Sequence, residues 1–205
     1  MAERIILTDT LQGIANALRG GASQSASDKI DVTDFAEVAQ GLKSASDSLV
    51  GLIDRSVTSI TIPEGVTSIG NSAFYGCTNL TEVNLPSTLT SIGNSAFYGC
   101  TNLTEVNLPS TLTSIGSNAF NGCTSLASIT IPEGVTSIGS IVFYGCTSLT
   151  EVNLPSTLTS IGSYAFYSIN ANAVINCGFA EGAVSGAPWG APNTVTINYD
   201  VTPQE

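Results

Sequence analysis

This 205-residue chain repeats itself every 23 residues, and no other property constrains its fold as tightly. The string IGNSAFYGCTNLTEVNLPSTLTS fills positions 69 to 91 and is spelled again without change over 92 to 114. Around those copies the Ile-Gly step recurs at Gly70, Gly93, Gly116, Gly139 and Gly162. Phe74, Phe97, Phe120, Phe143 and Phe166 keep the same interval, as do Pro63, Pro86, Pro109, Pro132 and Pro155. A fixed period in the twenties marks a solenoid, in which each unit buries its apolar side only by stacking on the next.

One unit can be read locally. In LTEVNLP (Leu80 to Pro86) polar and apolar residues alternate as in a half-buried strand. Pro86 has no N–H to give a ladder and ends that strand. LTSIG (Leu89 to Gly93) reads as a second short extended piece, with Leu89 and Ile92 inward and a turn at Gly93. NSAFYGC (Asn94 to Cys100) is too short for a stable helix and is expected to make one helical or 3₁₀ turn that carries Phe97 into the core. The expected architecture is an α+β repeat, a solenoid of about five 23-residue coils with short parallel strands.

The pattern IGxxAFxGCxxLTxVxLPxxLTS, spanning about residues 57 to 168, resembles the BspA-type, or Treponema pallidum-type, leucine-rich repeats. That resemblance implies a curved leucine-rich-repeat solenoid used mainly for adhesion and protein interaction, with no known catalysis. Two flanking segments speak a different grammar. In residues 1–55, Thr8 and Thr33 can cap helices whose apolar residues fall at helical spacing, which predicts a helical N-terminal cap or attachment segment. Residues 56–168 form the solenoid. Residues 169–205 drop the period and are expected to make a β-rich C-terminal cap, with Trp189 plugging the last coil. FAEGAVSGAPWGAPNTVTINY also resembles a closing module of phage and prophage tail proteins of Gram-positive gut bacteria, and LTDTLQGIANALRG…DKIDVTDFAEVAQGL a head segment of such proteins.

Charge excludes several functions. The formal net charge is −11, and all five basic residues (Arg4, Arg19, Lys29, Lys43, Arg55) precede Ser56. A body with eight carboxylates and no cation beyond that point repels phosphate backbones and anionic lipid, which argues against nucleic-acid partners. The chain has no His, so no Ser-His-Asp or Cys-His nucleophile and no imidazole metal ligand is available. No enzyme, cofactor or metal is expected. With no apolar run of about 18 residues, membrane insertion is not expected either. The N-terminal stretch lacks a signal-peptide core, so the expectation is cytoplasmic synthesis, followed by virion association or by display at the cell surface through non-classical export.

What remains are columns of equivalent residues. Cys77, Cys100, Cys123 and Cys146 share one position, at a strand spacing of about 4.8 Å. They read as buried reduced thiols, with disulfide pairing or zinc as alternatives that a straight column serves badly. Cys177 falls off that spacing and is assigned to the cap. Glu82, Glu105 and Glu151 share another position, read as a solvated face, with calcium bridging or a glycosidase pair as alternatives. Thr61, Asn84, Asn107, Thr130 and Asn153 run beside them, either as amides bonding coil to coil or as a polar recognition strip. The functional expectation is a non-catalytic binding or adhesion module that presents Glu82, Asn84, Glu105, Asn107, Thr130, Glu151 and Asn153 to a protein or glycan. The alternative is a structural spacer in a virion or surface assembly. A homo-oligomer is expected if the chain is tail-associated.

Overall fold

A computed structural model describes residues 56–201. The helical expectation for residues 1–55 lies outside the described residues. Among those described, the elements are β1 (Ser59–Thr61), β2 (Ser68–Ile69), β3 (Glu82–Asn84), β4 (Ser91–Ile92), β5 (Glu105–Val106) and β6 (Ser114–Ile115). They continue as β7 (Ser128–Thr130), β8 (Ser137–Ile138), β9 (Glu151–Leu154), β10 (Ser160–Ile161), β11 (Val174–Cys177) and β12 (Thr196–Asn198). Every pairing is parallel. Each coil contributes one first strand and one second strand, so equivalent residues fall into files.

The files follow from side-chain alternation. Val83, Val106, Ile129, Val152 and Ile175 point inward from the first strands, and Ile69, Ile92, Ile115 and Ile138 from the second. Between them lies one continuous core. Phe74, Phe97, Phe120, Phe143 and Phe166 stack with ring centroids 5.1 to 5.7 Å apart and planes within 10° of parallel. No polar or charged side chain is buried among the described residues. Apolar burial and backbone bonds from coil to coil therefore carry the stability.

The NSAFYGC segment departs from expectation. It makes successive turns, with no helical or 3₁₀ assignment. Ser72, Ser95, Asn118, Ile141 and Tyr164 each take φ between 55° and 61°, which no right-handed helix accommodates. The Phe amides are also committed elsewhere. The Phe97 N–H donates to Ala119 O at 2.8 Å and that of Phe143 to Ala165 O at 2.8 Å, each in the following coil. Coil-to-coil bonding has taken the donors a helix would need.

The glycine of the Ile-Gly step has a steric cause. A Cβ on Gly116 would lie 2.6 to 2.8 Å from Asn94 Oδ1, Asn94 N and Gly93 C. Coils approach most closely at this corner, where the Gly116 N–H donates to Ile92 O at 2.9 Å.

The C-terminal segment is β-rich as expected, and its strands keep the period in space. Val174, Ile175, Asn176 and Cys177 pair in register with Glu151, Val152, Asn153 and Leu154, 23 residues earlier. β12 then pairs with β11. Cys177 occupies the inward position of Leu154. Trp189 sits one period beyond Phe166, edge-on at 6.2 Å, and its indole Nε1–H donates to Ser185 O at 2.9 Å. Five coils carry both strands, and β11 opens a sixth where about five had been expected.

Candidate functional site

The first-strand face is built by the outward residues of Glu-Val-Asn and Ser-Ile-Thr. Glu82 and Glu105 are direct neighbours in register, and Ser59 and Ser128 stand beside Glu82 and Glu151 on adjacent coils. All three glutamates are exposed. Within a strand the amide braces the acid two residues back. Asn84 Nδ2 donates to Glu82 Oε1 at 2.9 Å, and Asn153 Nδ2 to Glu151 Oε1 at 3.1 Å. Glu82 and Glu105, side by side, raise each other's energy, and the amide donor on Glu82 offsets part of that cost.

The face is divided. First strands form a three-stranded sheet, β1-β3-β5, and a four-stranded sheet, β7-β9-β11-β12. Glu82, Asn84 and Glu105 lie on the first, and Thr130, Glu151 and Asn153 on the second. Asn107 belongs to neither, because β5 ends at Val106. It is exposed at the division and is not brought into the ladder.

On the four-stranded sheet the amides bond from coil to coil. Asn153 Nδ2 donates to Thr130 Oγ1 at 3.2 Å, Asn176 Nδ2 to Asn153 Oδ1 at 2.9 Å and Asn198 Nδ2 to Asn176 Oδ1 at 2.9 Å. All these bonds run one way, so each polarises the next. A shallow cleft of about 210 Å³ opens on this ladder, lined by Thr130, Glu133, Glu151, Asn153, Asn176 and Val201. Glu133 is partly spent, since its carboxylate accepts from the Ser156 N–H and the Ser156 hydroxyl, both at 3.1 Å.

Asn176, Asn198 and Glu133 escaped the sequence reading. Asn176 lies 23 residues after Asn153, a signal the repeat itself offered. Asn198 follows after 22, and that missing residue hides it from a strict period. Glu133 is legible only as the counterpart of Glu64, which clamps the Ser87 N–H and hydroxyl in the same way.

The interior holds no activated nucleophile among the described residues. All five cysteines are free and buried. The thiols of Cys100, Cys123 and Cys146 donate to Phe74, Phe97 and Phe120 carbonyls at 3.2 Å. Burial pushes Cys100, Cys146 and Cys177 up to about 12 and raises Cys123 as well, so these sulfurs stay protonated at neutral pH. Among the described residues no group of three His, Cys, Asp or Glu side chains is placed to hold a metal. Among the described residues no helix is long and apolar enough to cross a membrane.

Residues 53–172 match the BspA type leucine-rich repeat region, in six copies. A leucine-rich repeat protein of T. pallidum is 32% identical, with a TM-score of 0.55 over 69% of this chain and 73% of that one. A leucine-rich cell surface protein of Faecalibacterium prausnitzii A2-165 is 32% identical, with a TM-score of 0.52 over 71% of this chain and 33% of that one. A leucine-rich repeat protein of Bacteroides ovatus is 32% identical, with a TM-score of 0.56 over 70% and 42% of the respective chains. The chain thus spans less than half of the latter two. No curated protein matched it. With the 23-residue coil, the stacked Phe file and the parallel ladders all in agreement, the chain belongs to the BspA-type leucine-rich repeat family.

Proposed function

We propose that this solenoid is a non-catalytic protein-binding module whose first-strand face, with Glu82, Asn84, Glu105, Thr130, Glu151 and Asn153, receives a basic partner surface. One observation carries the reading: three exposed carboxylates share one repeat position, Glu82 and Glu105 on one first-strand sheet and Glu151 on the other, and the chain supplies no cation from Ser56 to Glu205. Complementary charge on a partner would speed encounter and fix register, and the amide ladder holds the Thr130, Glu151 and Asn153 part of the face rigid beforehand. Asn107, at the division, contributes less than its neighbours.

The module's setting is part of the same proposal. One relative is named a cell surface protein, and the two end segments resemble tail proteins of prophages. Cell-surface display and tail association are separated by fractionating the producing cells and any induced virions.

The binding test replaces Glu82, Glu105 and Glu151 together by Lys and measures adhesion to immobilised basic proteins at two salt concentrations. The triple variant is expected to keep its circular dichroism and lose salt-sensitive adhesion. Unchanged adhesion would sink the reading. Retained function after excision of one whole coil, residues 81–103, with no ligand found, would favour a structural spacer.

A further inference from the structure

A second surface lies on the turns between coils, away from the acidic sheet. All four large apolar side chains exposed among the described residues (Tyr75, Tyr144, Tyr164 and Tyr167) belong to these turns. No carboxylate or cation occurs in any of the five turns 70–79, 93–102, 116–125, 139–148 and 162–171. This face is therefore aromatic and uncharged, on a molecule that is otherwise acidic.

The tyrosines form a file with one interruption. Tyr75 stacks on Tyr98 at 4.7 Å with planes 5° apart, and Tyr144 on Tyr167 at 5.1 Å and 15°. The coil between them places Asn121 at the same position, half-buried, its Nδ2 donating to Asn118 Oδ1 at 3.2 Å. Tyr98 and Tyr144 thus stand on either side of a shorter side chain. Two coil steps of roughly 4.8 Å separate them by about 10 Å.

From these distances we infer that the gap over Asn121 is a binding slot for one pyranose ring of a neutral glycan, held between Tyr98 and Tyr144. A ring in mid-gap would sit about 5 Å from each tyrosine, close to the 4.7 and 5.1 Å at which the tyrosines stack on each other. A planar aromatic ligand would match that spacing too, but it brings no hydroxyls to the Asn121 amide beneath; a pyranose ring meets both tyrosines with its C–H faces and the amide with its hydroxyls. The floor is an amide, whose acceptor and donors suit sugar hydroxyls. The absence of cations in the slot selects against anionic sugars. This site is independent of the acidic sheet face.

The test uses the whole chain and a panel of neutral hexaoses (gluco-, manno-, galacto- and N-acetylglucosamine series) followed by saturation-transfer NMR and calorimetry. Binding by at least one of them is expected, with transfer from tyrosine ring protons. Asn121→Tyr completes the file with its own residue, so it should fold as well as the parent and weaken that binding at least about tenfold. Tyr98→Ala or Tyr144→Ala should weaken it likewise, while the triple Lys variant of the sheet face should bind as the parent does. The inference is overturned if no hexaose binds at about 10 mM, or if Asn121→Tyr binds like the parent. A protein partner lost on Asn121→Tyr, with glycan binding absent, would also overturn it.

Discussion

The second strands β2, β4, β6, β8 and β10 make one unbroken five-stranded sheet, whereas the first-strand sheet stops after β5 and resumes at β7. Both pass through the same coils and cover the same core. The second strand reads Ser-Ile-Gly in every coil, and its glycine lets backbones close to contact. The first strand feeds two different turns, Pro-Glu-Gly-Val (63–66, 132–135) and Pro-Ser-Thr-Leu (86–89, 109–112, 155–158). The order of those turns decides cohesion. Where Pro-Glu-Gly-Val comes first, Glu64 and Glu133 clamp Ser87 and Ser156, and the Gly65 and Gly134 N–H groups donate to Thr88 and Thr157. Where Pro-Ser-Thr-Leu follows itself, the Thr111 hydroxyl donates to Ser87 O and Leu89 O. In the reverse order, 109–112 followed by 132–135, position 134 is a glycine with no hydroxyl. There the sheet parts, and among the described residues no bond joins Thr136 to Thr113, although Thr90, Thr113 and Thr159 each donate to the preceding threonine.

The largest effect should come from breaking the continuous side. Gly116→Ala forces a methyl within 2.8 Å of backbone and should cost about 3 kcal/mol or more in urea unfolding. Gly134→Ala, at the parted step, meets nothing closer than 3.6 Å and should cost about 1 kcal/mol through its φ of +106° alone. Equal losses would mean the two sides do not differ.

Alkaline titration asks whether the core is continuous where the sheet is not. The thiol bonds of Cys123 and Cys146 span the neighbouring coils and include the parted step. Buried thiols raised above an unfolded value of about 8.5 bind more protons in the folded state. Stability should therefore be full below about pH 8.5 and fall as pH rises toward about 12. All cysteines should become reactive to a thiol reagent in one cooperative step. Early reaction of one pair would place a boundary in the core as well.

Smaller effects test the clamps. Glu133→Ala removes two bonds at an exposed site and should cost about 1 kcal/mol, with Glu64→Ala behaving alike. Smallest of all, rewriting 130–135 from TIPEGV to NLPSTL exchanges the Glu133 clamp for a threonine bridge. Net stability should change by less than about 0.5 kcal/mol. Amide exchange at Ile129 should nevertheless slow as β5 and β7 join, and unchanged exchange would disprove the role given to turn order.

The repeat alone determined the coil, the inward Phe and Cys files, the strand alternation at Val83 and its equivalents, and the acidic outer face. These follow from periodicity, because identical units that must stack bring identical residues into line. Turn conformation was not legible, since NSAFYGC has the composition of a helical turn and only the neighbouring coil claims its amides. Nor was the C-terminal continuation, where strand pairing held the register although the motif had decayed and one residue was missing before β12. The grouping of Thr130, Glu151 and Asn153 with Asn176, apart from Glu82 and Glu105, depended on where the sheet divides. Tertiary structure decided these points, because hydrogen bonds between coils depend on which turn lies beneath which, a relation that no single repeat contains.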